Sequence, residues 1–137
     1  MSPPRPEGSE QAQVLARKAA GDATAVRKLA AAAEVEDEMI GFHAQQAVEK
    51  WLEAVIVIRG LELAPTNDIG RLVRTLEKGG GEPPAVADRL DELTQYAAPL
   101  HCEYLLELDP LDREAAVALV DEVSRWANAE FESANDA

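Results

Sequence analysis

Residues 40–58, IGFHAQQAVEKWLEAVIVI, constrain the fold more than any other stretch of the chain. Successive residues of an α-helix are about 100° apart around its axis. At that spacing Ile40, Ala44, Ala47, Trp51, Val55 and Ile58 share one narrow sector. Val48, Leu52 and Ile56 drift onto the adjacent and then the opposite side. The C-terminal half is therefore apolar nearly all round, and such a helix is buried on more than one face. It belongs at the centre of a bundle, at an interface between copies, or both. Both are expected here, with Leu52 and Ile56 on the interface of a homodimer.

The remaining segments read as helices of more ordinary patterning. A first helix is expected from about Ser9 to Ala33, with Val14, Ala16, Ala20, Ala23, Val26 and Leu29/Ala30 as its apolar stripe. The central helix should run from about Glu36 to Leu61. Thr66 or Asn67 is a candidate N-cap for a short helix from about Asp68 to Lys78, ended by a flexible hinge at Gly79-Gly80-Gly81. A fourth helix should begin near Ala85, carrying Val86, Leu90, Leu93 and Tyr96, and be kinked or split at Pro99. Asp109 as N-cap and Pro110 as first helical residue should open the last helix, which reaches about Phe131. Alanine is abundant and aromatic residues make up only 4% of the chain, which suits closely packed helices. No strand-like alternation persists. The expected fold is all-α, an up-and-down bundle of four to five antiparallel helices.

The 137 residues suffice for one domain, expected over residues 10–132 between an N-terminal tail, 1–9, and a C-terminal tail, 133–137. The single cysteine, Cys102, forms no intramolecular disulfide and fits a reducing cytoplasm. The start lacks an apolar leader, and the longest apolar run is too short to span a bilayer. The net charge of −13 discourages non-specific nucleic-acid binding. The charge is uneven: residues 1–33 hold five cations against three acids, a net of +2, and the remainder carries −15. Arg17, Lys18, Arg27 and Lys28 are thus the expected contacts for any polyanion.

Three groups of polar residues come under consideration as sites. On the central helix His43 and Lys50 lie together on one shoulder of the core stripe, with Gln46 beyond them. With Asp22 from the first helix they could hold a nucleotide or a partner's carboxylate; the competing reading is a structural polar link between the two helices. Gln45, Glu49 and Glu53 are expected to point to solvent. The second group is His101, Glu103 and Tyr104, beside the Pro99 kink, where a histidine could move a proton. The third is a metal centre, for which no His-x-x-x-His or Glu-x-x-His spacing exists, so no metal is expected. The glycine run follows a helix and lacks the lysine and serine of a phosphate loop. No cofactor is expected.

Four stretches together resemble a known family. They are LARKAAGDATAVRKL at 15–29, FHAQQAVEKWLEAVIVIRG at 42–60, NDIGRLVRTL at 67–76 and DPLDREAAVALVDEVSRW at 109–126. They are similar to the helices of a HEPN domain (higher eukaryotes and prokaryotes nucleotide-binding); the second is the most specific, with its paired glutamines, Ala-Val-Glu-Lys and apolar run ending at glycine. The resemblance implies a bundle of four or five helices that usually dimerises. It also implies a function among ribonuclease toxins, RNA-binding or inactive modules, and partners of small nucleotidyltransferases in toxin–antitoxin or defence operons. Active ribonucleases of the family carry arginine, four to six residues, then histidine. That pair is missing: Arg89 is too far from His101, and the positions preceding His43 at that spacing are acidic or apolar. His101 stands where many relatives have the arginine of Arg-Tyr-Pro, Cys102 stands where the tyrosine would be, and Asn67 replaces a histidine. The expectation is a dimeric, non-catalytic module binding a protein partner, a nucleotide or RNA. The alternatives are a metal-independent ribonuclease with a variant site around His101, and a bundle without a ligand.

Overall fold

The computed structural model describes residues 6–96 and 110–136. They form four α-helices and one 3-10 helix: α1 (Pro6–Ala30), α2 (Asp37–Ile58), α3 (Ile69–Lys78), the 3-10 helix (Ala87–Tyr96) and α4 (Arg113–Asp136). No strand occurs among the described residues. No helix among them is long and apolar enough to cross a membrane.

The central position expected for α2 is observed. It packs against α1, α3, α4 and the 3-10 helix. Ile40, Ala44, Ala47, Val55, and also Val48, Leu52 and Ile56, have no exposed surface. Each fully buried leucine or isoleucine contributes about 1.5–3 kcal/mol relative to an exposed one. The side of α2 assigned to a dimer interface is therefore buried within its own chain. Leu52 and Ile56 belong to the monomer core and have no surface left to offer a second copy.

Helix α1 packs against α2 and α4 and buries small residues, Ala12, Ala19, Ala23 and Val26. These recur at heptad-like spacing and let the helix backbones approach closely. Val14 and Ala20, expected on this stripe, are exposed instead. The helix begins at Pro6, inside the expected tail, since proline is well suited to the first helical position.

Helix ends follow local chemistry, with shifts from the expected residues. Asp68, and not Thr66 or Asn67, caps α3, its Oδ1 accepting from the Gly70 amide at 3.0 Å. Asp112, and not Asp109, caps α4, accepting from the Ala115 amide at 3.0 Å. Gly60 and Gly80 adopt positive φ of 77° and 81°. The Leu61 amide then returns to the Ile56 carbonyl and the Gly81 amide to the Leu76 carbonyl, closing two Schellman motifs. The glycine run is thus a hydrogen-bonded helix cap, not a hinge.

The fourth predicted helix is a 3-10 helix. Leu90, Leu93 and Tyr96 are spaced by three and all buried. Side chains three apart eclipse in a 3-10 helix, so this spacing puts the three on one line facing α2 and α3. The Pro99 kink lies outside the described residues.

One arginine ties the start of α4 to the connection between α1 and α2. Arg113 donates Nε to Asp37 Oδ1 at 3.0 Å, Nη1 to the Ala32 carbonyl at 2.9 Å and Nη2 to the Val35 carbonyl. Asp37 Oδ2 accepts from the Leu111 amide at 3.0 Å.

Candidate functional site

Asp22 sits on α1 one residue before Ala23 of the small-residue face. His43 and Lys50 are seven residues apart on α2, two turns, so they project from the same side. The close helix pair brings all three together. Asp22 Oδ1 lies 3.0 Å from His43 Nδ1, and Asp22 Oδ2 accepts from Lys50 Nζ at 2.6 Å. The side chains are 15%, 27% and 24% exposed for Asp22, His43 and Lys50, so the carboxylate is the most sheltered and both partners reach the surface. With Nδ1 directed at a carboxylate, the neutral ring carries its hydrogen there and leaves Nε2 as an acceptor. The Phe42 ring meets the His43 ring edge-on, with centroids 5.5 Å apart.

Gln46 makes a different contact. Its Nε2 donates to Gln45 Oε1 at 2.8 Å, and Gln45 Nε2 donates to Glu49 Oε2 at 2.7 Å. Gln45, expected in solvent, is fully buried. Glu49 and Glu53 are half-buried rather than free in water. Burial raises the Glu49 carboxyl above its usual range, opposed by the Gln45 hydrogen bond and the Lys50 charge. Glu53 is pushed up to about 7, first by burial and then by the neighbouring Glu49 charge, with Lys50 opposing. A folded-state value above the unfolded one gives stability that is full at acid pH and lost as pH rises through about 7. Glu53→Gln is therefore expected to raise the urea midpoint more at about pH 8.5 than at about pH 5. A gain of equal size at both would contradict the assignment.

The HEPN domain family matches the chain over residues 12–130. The chain belongs to the HEPN domain family. No curated protein and no solved structure matches it. The stretches that carried the resemblance thus lie in a true family member, a helical module of a nucleotide- and RNA-related family.

Other expected residues of this HEPN domain fall elsewhere. Arg27 pairs with Asp121 of α4 at 2.9 Å and reaches Thr24, so it is engaged within the bundle. Arg17, Lys18 and Lys28 are exposed. His101, Cys102, Glu103 and Tyr104 lie outside the described residues. Among the described residues no three metal-ligating side chains come together. One cationic face lies outside the expected contacts: Arg71, Arg74 and Lys78 are exposed on α3, opposite its buried Ile69, Leu72 and Leu76. Their spacing of three and four residues was the available signal.

Proposed function

We propose that this HEPN domain is a non-catalytic binding module. It acts as a homodimer and holds a nucleotide or RNA phosphate group at Asp22, His43 and Lys50. The observation that carries this reading is the shared carboxylate. A single sheltered aspartate orients an imidazole and an ammonium, and both keep about a quarter of their surface open to a ligand. The missing Arg-x4-6-His pair supports binding without cleavage. A nucleotidyltransferase encoded beside it is the protein partner that suits this reading.

Fluorescence anisotropy with a short labelled RNA tests it. The wild type should bind without shortening the RNA, and Lys50→Ala should weaken binding about tenfold, the size of a lost charged hydrogen bond. Metal-independent cleavage that disappears in His101→Ala would establish a ribonuclease instead. Light scattering on the same samples should report twice the chain mass; a monomer at micromolar concentration would contradict the dimer.

A further inference from the structure

The Asp22–His43–Lys50 cluster has a charge problem as an anion site. Lys50 contributes one positive charge, and Asp22 matches it at 2.6 Å. With a neutral His43 these three side chains sum to zero, and Glu49 and Glu53, on which the Lys50 charge also acts, add no positive charge. An arriving oxyanion then meets a carboxylate and no uncommitted cation. Because the ring faces Asp22 through Nδ1, the neutral Nε2 presents a lone pair, which an oxyanion avoids. Protonation changes both features at once. The cluster gains a positive charge, and Nε2 becomes a donor.

We propose that this cluster takes the tetrahedral oxyanion of a phosphate group together with one proton, drawn from solvent and held on His43 Nε2. The inference rests on the ligand reading above and adds the chemistry by which the site accepts its ligand. From α1, Asp22 faces His43 directly, and exposed Lys18 lies one turn before it on that helix. On α2 the charged neighbour is Lys50, which shares the Asp22 carboxylate and also acts on Glu49 and on Glu53, whose carboxyl is pushed up to about 7 by burial and by Glu49, while Phe42 and Gln46 are uncharged. Asp22 keeps two tasks in the bound state: it stabilises the imidazolium, and it keeps Lys50 in place. Linkage then requires the affinity to follow the protonated fraction of His43.

The test is calorimetric titration of the whole chain with three probes of fixed charge: sulfate, a cyclic mononucleotide and a trinucleotide RNA. Binding should tighten about tenfold or more between about pH 8 and about pH 5.5. Heats measured in buffers of different ionisation enthalpy should report proton uptake. If the cyclic nucleotide gains more than the trinucleotide, the phosphate source is a free nucleotide; the reverse names the RNA backbone. His43→Gln keeps a donor for Asp22 but takes no proton, so its affinity should no longer rise in acid. Asp22→Asn leaves the Lys50 charge uncommitted, so binding at about pH 8 should strengthen several-fold and depend less on pH. A merely structural polar link predicts no gain in that variant. Equal wild-type affinity at both pH values, or an acid enhancement retained in His43→Gln, overturns this inference and leaves the ligand reading standing. Failure of every probe to bind wild type and Asp22→Asn at either pH overturns both.

Discussion

Arg113→Ala is expected to lower the unfolding free energy by about 2–3 kcal/mol, read from urea denaturation midpoints. The guanidinium satisfies two carbonyls, of Ala32 and Val35, and one Asp37 oxygen at the same time. The two carbonyls belong to the connection between α1 and α2, and Asp37 opens α2, whose N-terminus otherwise has no side-chain cap. Truncation leaves part-buried acceptors without donors, which costs more than the net value of the bonds removed. Arg113 and Asp37 are 25% and 37% exposed on their side chains, so water reclaims part of the loss, which keeps the effect below that of a buried pair. Arg113→Lys should recover less than half, because an ammonium does not span two carbonyls and a carboxylate as a planar fork does. Full recovery by lysine would show that charge alone holds the junction.

The second large effect is expected at Gly41. A Cβ built there would lie 2.5 Å from two ring carbons of Tyr96, far inside contact distance. The Tyr96 ring lies against the α2 backbone and is itself 4% exposed, so it has little room to withdraw. Helix propensity alone would favour alanine over glycine by about 0.5–1 kcal/mol. Overpacking opposes this at about 1–3 kcal/mol, so Gly41→Ala should destabilise overall. A double-mutant cycle separates the two effects. In a Tyr96→Ala background the clash is gone, and Gly41→Ala should then become neutral or stabilising. A penalty that persists without the ring would place its origin elsewhere.

Much of the bundle was legible because the apolar pattern of α2 is strong. Its wheel placed the helix centrally and put His43 and Lys50 on one shoulder. The same wheel misled where residues were sorted by polarity rather than by direction. Gln45 lies within about 60° of Val48, Leu52 and Ile56, so it had to be buried wherever they were. Leu52 and Ile56 at a dimer interface and Gln45 in solvent are therefore incompatible on one helix. Helix α1 gave a blurred stripe for a different reason: alanine occurs on all its sides and supplies little contrast between core and surface. The capping residues shifted by one to three positions because several candidate aspartates, threonines and asparagines stand close together, and only backbone geometry selects among them. Spacing of three in Leu90, Leu93 and Tyr96 fits both helix types over so short a run. The Asp22 bridge joins residues 21 and 28 positions apart, a pairing that depends on helix packing and not on local pattern.

The central claim is that the cluster of Asp22, His43 and Lys50 is where this HEPN domain meets its ligand. The chain has two histidines, His43 and His101, so their ring resonances can be assigned with His101→Ala and followed by NMR as a short RNA or nucleotide is added. The His43 resonances are expected to shift saturably, with the RNA intact at the end of the titration. A stationary His43 beside a shifting His101, or RNA shortened during the experiment, would contradict the claim.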